Sequence, residues 1–125
     1  MEAYRVAGTE DSPEVILDLE ANQMELSGRS LPEDVITFYE PIVRWIVAYS
    51  KNPLDNTVFN FKLSYFNTAS SKVILDILTL FEDMIEEGHK VLVRWHYDDD
   101  DEDMQDAGEE YADMVDVPFE MVMVS

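Results

Sequence analysis

Alternating apolar and polar positions near the start of the chain predict a β-hairpin. The pattern predicts two short strands, at residues 14–20 and 24–28, with a tight connection at residues 21–23. The asparagine in this connection, Asn22, is typical of hairpin turns. Tyr4, Arg5 and Val6 predict one more short strand at the edge of the same sheet.

Apolar residues at intervals of three and four predict the first helix, from about residue 35 to residue 51. Pro41 interrupts this stripe. Either the helix starts near Thr37, which brings Pro41 close to the first turn, or the helix kinks at Pro41. Asn52 and Pro53 then end it. The stripe consists of Val35, Phe38, Ile42, Trp45, Ile46 and Tyr49.

The remaining chain alternates strands with helices, which implies crossover connections and parallel strands. The pattern predicts a strand over residues 57–66, a helix over 70–87 that ends at Gly88, a strand over 90–97, a charged helix over about 100–115 and a closing strand over 118–124. We therefore predict one α/β domain over residues 1–125. It has a central, mostly parallel sheet, an N-terminal antiparallel hairpin and about three helices.

The composition fits one globular domain and excludes several kinds of site. The chain has 125 residues, of which 46% are hydrophobic and 29% are charged, and this is enough to bury a core. Because cysteine is absent, disulfides, thiolate metal sites and cysteine nucleophiles are excluded. No apolar run approaches the ~20 residues that cross a bilayer, and no signal segment is visible. We expect a cytoplasmic protein.

The charge balance narrows the choice of partners. Twenty-eight acidic residues against eight basic ones give a net charge of −20. Nucleic-acid phosphates and anionic membranes would be repelled, whereas a partner with a basic surface would be attracted. All eight bases lie between Arg5 and Arg94, and the tail from Asp98 onward carries twelve acids and no base.

No assembled catalytic set is visible, so we predict a protein that is not an enzyme and has no cofactor. The two histidines, His89 and His96, are seven residues apart and form no metal-binding or proton-transfer pair with a known spacing. The glycines are too scattered to build a loop that holds phosphate. They stand at Gly8, Gly28, Gly88 and Gly108.

The acidic run Asp98–Asp103 has two interpretations. Hard divalent cations bind several carboxylate oxygens, but a calcium-binding loop also needs a glycine at its sixth position and a terminal glutamate, and this run fits neither. A solvated acidic start of a helix, favoured by the helix dipole, is the preferred reading. We therefore predict no metal site, and a role in docking a partner stays open.

The turn between the strand at 57–66 and the next helix offers a hydroxyl in a special place. Asn67 or Thr68 should be the N-cap of that helix. A phosphate on Thr68 would face free backbone N–H groups and the positive end of the helix dipole, with Lys72 nearby. The residues alone favour the simple capping interpretation over modification.

A family resemblance changes this balance. Residues 63–72 (LSYFNTASSK), followed by 74–78 (ILDIL) and 93–97 (VRWHY), resemble the SiaC family of bacterial regulatory phosphoproteins. Weaker similarities reach nearly the whole chain. They are Gly8-Thr9, Ser12-Pro13, residues 30–33, Trp45 and residues 118–120.

The resemblance implies a fold similar to STAS domains and anti-sigma-factor antagonists, and a function by partner switching. In such systems a kinase phosphorylates a hydroxyl at the start of a helix, and a PP2C-type phosphatase removes the phosphate. The family's phosphoacceptor maps onto Thr68, with Ser70 and Ser71 as rivals. The unphosphorylated protein would activate a diguanylate cyclase, and so act in c-di-GMP signalling and biofilm regulation. The expected partner-binding residues are Tyr65, Asn67, Ser70, Ser71, Lys72, Trp95, His96 and Tyr97.

Two other functions stay open. An acidic protein can act by charge alone, either as a mimic of nucleic acid or by docking a basic partner through Asp98–Asp103. A small hydrolase or a cation-dependent enzyme is disfavoured because no catalytic constellation is present. The residues leave the oligomeric state and the identities of the kinase, the phosphatase and the output undetermined.

Overall fold

The computed structural model describes residues 1–125 and contains a six-stranded sheet with three helices. The predicted α/β class is confirmed, and so is each predicted element, with ends that move by a few residues. The strands are β1 (Tyr4–Val6), β2 (Glu14–Asp18), β3 (Gln23–Ser30), β4 (Asn56–Phe66), β5 (Lys90–Asp98) and β6 (Phe119–Val124). The helices are α1 (Val35–Ser50), α2 (Thr68–Glu86) and α3 (Glu102–Met114).

The strands lie in the sheet in the same order as in the sequence, from β1 to β6. The first two pairings are antiparallel, and the pairings β3–β4, β4–β5 and β5–β6 are parallel. The predicted N-terminal hairpin and the mostly parallel remainder are therefore confirmed. Right-handed crossovers that always advance in one direction place all three helices on one face of the sheet.

The alternation of burial along β4 shows which face the helices cover. Phe59, Phe61 and Leu63 are buried beneath the helices, whereas Val58 and Lys62 are exposed on the opposite side. We call this opposite side the open face. Polar pairs cover much of it, including three of the four ion pairs of the protein, which are Arg5–Asp18, Lys62–Glu25 and Arg94–Glu120.

Helix α1 begins earlier than one of the two sequence interpretations assumed. Its N-cap is Asp34, whose carboxylate accepts a hydrogen bond from the Thr37 backbone N–H at 3.1 Å. The predicted start near Thr37 is therefore wrong. Pro41 lies in the interior of α1, where it cannot donate the backbone hydrogen bond that a helix normally makes to the carbonyl four residues earlier.

Helix α2 ends at the predicted glycine. Gly88 has a φ of +98°, a left-handed conformation that glycine adopts without the steric cost of a Cβ atom. Its N–H bonds the Ile85 carbonyl at 2.9 Å, and the His89 N–H bonds the Met84 carbonyl at 3.0 Å. This pair of bonds is the Schellman motif, which satisfies carbonyls at the end of the helix.

Helix α3 is fastened to the sheet through one tryptophan of β5. Trp95 is fully buried, and its indole N–H donates to the Met104 carbonyl at 3.0 Å. Gly108 leaves room for the ring, because a Cβ atom there would lie 2.4 Å from Trp95 Cδ1. The close approach of α3 to the sheet therefore depends on a glycine at this position.

None of the three helices combines the length and the apolar character that crossing a bilayer requires.

Candidate functional site at the Thr68 turn

The segment from Tyr65 to Lys72 leads from the end of β4 into the first turns of α2, and we call it the Thr68 turn. It lies at the edge of the sheet where the parallel strands end, beside the β5–α3 connection. Loops at this edge of parallel sheets commonly carry functional residues, because the strands hold them rigidly.

Asn67 is the N-cap of α2, which decides between the two predicted caps. Its side-chain oxygen accepts from the Ser70 N–H at 2.8 Å, and its carbonyl accepts from the Ser71 N–H at 2.9 Å. Its own N–H donates to the Ser30 carbonyl at 3.0 Å and ties the turn to β3. Thr68 is the first residue of the helix, and its side chain is exposed.

The start of α2 carries no negative charge of its own. Its first turn contains no acidic residue, and its cap Asn67 is neutral. The caps of the other two helices, Asp34 and Asp101, are both carboxylates. In a chain with 28 acids, the positive end of this helix dipole is therefore left without a compensating anion.

A chain of buried hydroxyl groups supports the turn from beneath. The Ser70 hydroxyl donates to the Ser30 carbonyl at 2.9 Å and lies 2.8 Å from the Ser30 hydroxyl, which lies 2.6 Å from the Tyr39 hydroxyl. All three residues are almost entirely buried, and burial raises the pKa of Tyr39. Ser70, predicted as a rival phosphoacceptor and a partner contact, thus faces the core and has no exposed surface.

A β-bulge in β4 sets the direction of the last two strand residues. Gly28 pairs with Leu63, but the next residue, Arg29, pairs with Tyr65, so Ser64 is the extra residue. The bulge reverses the alternation of side chains. Phe66 consequently packs towards the helices, whereas Tyr65 is 45% exposed, with the Arg29 guanidinium 5.4 Å from its ring centre.

An aromatic cluster joins the Thr68 turn to α3. The ring of Phe66 lies 6.2 Å from that of Trp95 and 6.3 Å from that of Tyr111. The Tyr111 hydroxyl donates to the Ser71 carbonyl at 2.8 Å, and burial raises the pKa of Tyr111 to about 12. The tyrosine therefore keeps its proton near neutral pH, and α3 is bonded directly to the first turns of α2.

The predicted contact residues of β5 point in different directions. Trp95 is buried in the core, and Tyr97 packs half-buried against it. His96 faces the open face, with Nε2 2.9 Å from the Asn60 side-chain oxygen. Its pKa is lowered by burial and by the nearby positive charges of Lys62 and Arg94. Trp95 can thus affect a partner only through the residues that it supports.

The acidic run forms the turn between β5 and α3. Asp98, Asp99 and Asp100 are exposed, and Asp101 caps α3 by accepting from the Met104 N–H at 3.0 Å. No group of three or more potential ligand side chains in the structure is arranged to hold a metal ion. The run has the geometry of the solvated helix start that the sequence favoured.

Sequence reasoning missed several residues that build the site. The buried Ser30 and Tyr39, the stacked Arg29 and the hydroxyl of Tyr111 were not among the candidates. The partner of the Tyr111 hydroxyl depends on how α2 and α3 pack, which no local pattern shows. Ser30 lies near the Thr68 turn because it ends β3 beside Phe66, the last residue of the parallel neighbour β4.

Comparisons with known proteins agree with this architecture. A family model described as SiaC family regulatory phosphoprotein matches residues 6–124. An uncharacterized protein of Pseudomonas aeruginosa strain UCBPP-PA14 is 30% identical over 122 residues, which are 95% of this chain and 94% of that protein.

Two solved structures of Pseudomonas aeruginosa SiaC have the same fold. Apo-SiaC has a TM-score of 0.88 at 27% identity, covering 98% of this chain and 99% of that one. SiaC in complex with the diguanylate cyclase SiaD, of which it is described as the activator, has a TM-score of 0.91 at 27% identity, covering 97% and 99%.

Proposed function

The chain belongs to the SiaC family of regulatory phosphoproteins, and we propose that its switch is the reversible phosphorylation of Thr68. The family model and the 30% identical relative confirm the family resemblance that the residues of the Thr68 turn suggested. The choice of acceptor, the enzymes that modify it and the output are our proposal for this chain.

One observation carries the choice of Thr68. It is an exposed hydroxyl at the first position of a helix whose cap is neutral and whose first turn has no acid. A phosphate there faces unpaired N–H groups and the positive end of the dipole, and Lys72 lies one turn further on the same side. Ser71 is less suitable, because it is half-buried and its hydroxyl already donates to the Thr68 carbonyl at 2.6 Å.

The proposed cycle has three partners. A protein kinase adds the phosphate, and a PP2C-type phosphatase removes it. The unmodified protein binds and activates a diguanylate cyclase in the cytoplasm, as the relative SiaC is the activator of the cyclase SiaD. The chain would itself be a binding protein without catalytic activity, acting in c-di-GMP signalling and the regulation of biofilms.

The switch follows from electrostatics. Phosphorylation adds roughly −1.5 to −2 charges at the turn. If apolar groups of the output partner cover Thr68, the phosphate loses its water without gaining a cation in return, and binding weakens. A penalty of about 3 kcal/mol lowers the affinity more than a hundredfold.

Site mapping by mass spectrometry, on protein purified from its native host, tests the proposal. We expect one phosphate on Thr68, its loss in Thr68→Ala, and its retention in the matched Ser71→Ala. The Thr68→Ala protein should also bind its output partner at all times. A phosphate found in equal amount on the Thr68→Ala protein would show that Thr68 is the wrong residue.

Docking by charge alone, through Asp98–Asp103, is the second candidate. The exposure of Asp98, Asp99 and Asp100 on one turn favours it. Replacing these three by asparagine separates the two functions. If charge alone carries the function, partner binding is lost. If the switch at Thr68 carries it, the association rate falls, while phosphorylation and its effect on binding persist.

A further inference from the structure

An apolar groove runs between α2 and α3, beside the Thr68 turn. It has a volume of about 260 Å³. Phe66 and Tyr111 form its floor, Lys72 and Leu75 lie on the α2 side, and Ala107 and Met114 lie on the α3 side. A second hollow of about 290 Å³ continues from it and shares Phe66 and Ala107 with the first.

The rim of the groove exposes apolar surface that the fold does not use. The Met114 side chain is 61% exposed at the far end, and Tyr65 is 45% exposed beside the second hollow. Covering such side chains stabilises a complex, at roughly 25 cal/mol for each Å² of apolar surface removed from water.

The charge around the groove is strongly one-sided. Helix α3 carries six acidic residues and no basic one, and all six are exposed. Lys72 is the one basic residue in the lining, and no carboxylate forms an ion pair with it. The acids are Glu102, Asp103, Asp106, Glu109, Glu110 and Asp113. A partner that fills the groove must therefore bring apolar residues to its floor and positive charges to its α3 side.

Resting on the proposed function, we propose that this groove docks the output partner and that the docking element is a basic amphipathic helix. Apolar residues spaced three and four apart would enter the groove, and Lys or Arg beside them would face α3. This is the usual way in which a helix binds a groove between two others. The proposed function left two points open, namely the surface that binds the output partner and the chemistry of that partner, and this docking mode specifies both.

A second groove, on the other side of α2, lacks the charge that a basic helix requires. It lies between α1 and α2, has about 240 Å³ and exposes Ile36 to 71%. Its charged residues are Glu40, Asp76 and Arg44, and Arg44 forms an ion pair with Glu40. This groove lacks the one-sided charge, so charge complementarity selects the α2–α3 groove for a basic helix.

The position of Thr68 links the groove to the switch. Thr68, Ser71, Lys72 and Leu75 share one side of α2 by helical spacing. A phosphate on Thr68 that is drawn towards Lys72 would stand at the mouth of the groove. An apolar residue entering there would strip water from the phosphate. The basic groups of the partner would face α3, on the other side of the groove from the phosphate. Solvent and salt would screen their attraction to the phosphate.

Binding of a synthetic helical peptide with leucines at i, i+3 and i+4 and lysines between them tests the proposal. The full-length protein is titrated by calorimetry, and amide NMR shifts locate the contact. We expect Met114→Ser to weaken the affinity about tenfold, equivalent to ~1.4 kcal/mol. Ala107→Trp, which fills the groove, should weaken it further. The matched control Ile36→Ser, at an even more exposed apolar residue of the other groove, should leave the affinity unchanged.

A second peptide, with the leucines replaced by serine, has the same charge and should bind weakly and without these differences. The proposal is overturned if Met114→Ser and Ile36→Ser bind the leucine peptide alike, or if the NMR shifts map to α1 or the open face. The mapping of Thr68 does not depend on the groove. If Thr68 is the acceptor and the groove variants bind normally, only the groove proposal fails, and in the reverse case only the phosphorylation proposal fails.

Discussion

Two turns at the same edge of the sheet are capped by the same kind of hydrogen bond, but one is acidic and the other is neutral. The β4–α2 turn is capped by Asn67, which accepts from the Ser70 N–H at 2.8 Å, and the β5–α3 turn by Asp101, which accepts from the Met104 N–H at 3.0 Å. Helix α3 then continues with Glu102 and Asp103, whereas the first turn of α2 has no acid. The start of α3 already holds the anions that its dipole favours. The start of α2 leaves that place free for an added phosphate.

The two turns are also held by different chemistry. Hydroxyl groups of Ser30, Ser70 and Tyr39 fix the start of α2. Ring packing and one indole hydrogen bond from Trp95 fix α3. Both turns are tied to the sheet by hydrogen bonds or packing, but only the first presents a hydroxyl to solvent. Charge and exposure therefore distinguish the turn with the proposed acceptor from the other one.

The largest effect on stability is expected where Trp95 packs against Gly108 of α3. Gly108→Ala places a methyl group against the buried Trp95 ring, and overpacking of this kind typically costs about 1–3 kcal/mol. We expect a clearly lower midpoint of urea unfolding. The neighbouring Glu109→Ala, at an exposed position, is the control and should be neutral or slightly stabilising. An unchanged midpoint for Gly108→Ala would mean that α3 lies further from the sheet.

A smaller loss of stability is expected at the buried hydroxyl groups beneath the Thr68 turn. Ser70→Ala removes the hydroxyl that donates to the Ser30 carbonyl and accepts from the Ser30 hydroxyl. Losing buried hydrogen bonds while their partners remain costs about 1–2 kcal/mol. Thermal unfolding measures the loss, with Ser71→Ala as the control, since the Ser71 hydroxyl bonds only within its own helix. Equal melting temperatures for the two variants would show that the buried hydroxyl groups do not stabilise the fold.

Exchanging the charges of the two caps tests the effect of the helix dipole at each helix start. Asn67→Asp should stabilise the unmodified protein, and Asp101→Asn should destabilise it, each by roughly 0.3–1 kcal/mol from the helix dipole. After phosphorylation the sign at α2 should reverse, because the new carboxylate lies next to the phosphate on Thr68. Melting temperatures of the modified and unmodified proteins measure both effects. If Asn67→Asp stabilised both forms equally, the phosphate would not lie at the helix start.

The smallest effect concerns pH and the strand that leads into the β5–α3 turn. Burial, Lys62 and Arg94 lower the pKa of His96 below its ordinary value of 6.5. The unfolded chain therefore binds this proton at a higher pH than the folded protein, and stability falls as the pH drops from about 6.5 towards the folded pKa. His96→Gln, which keeps an amide donor for Asn60, should lose less stability over this range. An identical slope in both proteins would contradict the shift.

The sequence predicted the elements well because each is amphipathic over enough residues to show its period. It could not predict the bulge at Ser64, since one extra residue in a strand leaves the apolar pattern almost unchanged. Yet that bulge turns Phe66 inward and Tyr65 outward. Pro41 left two interpretations of α1 open, and the structure excludes the start near Thr37, because α1 runs from Val35 to Ser50 with Pro41 inside it.

The site was predictable only where it is local in sequence. Asn67 and Thr68 follow from capping rules, and the proposed role of Thr68 follows from the family resemblance. The supports of the turn come from residues about forty positions away, such as Ser30 against Ser70 and Tyr111 against Ser71. Such pairings depend on strand order and helix packing. One sequence does not encode them in any local pattern.

The sequential order of the strands has a consequence for how the protein is made. Each new strand pairs with the one before it, and no strand has to be inserted between two that are already joined. During synthesis the sheet can therefore grow from one edge as the chain emerges, with the newest strand always at the open border. The two antiparallel pairings close short connections, whereas each of the three parallel pairings must wait until its crossover helix has been made. The strand made last, β6, pairs with β5 alone, so its loss leaves the other five strands paired.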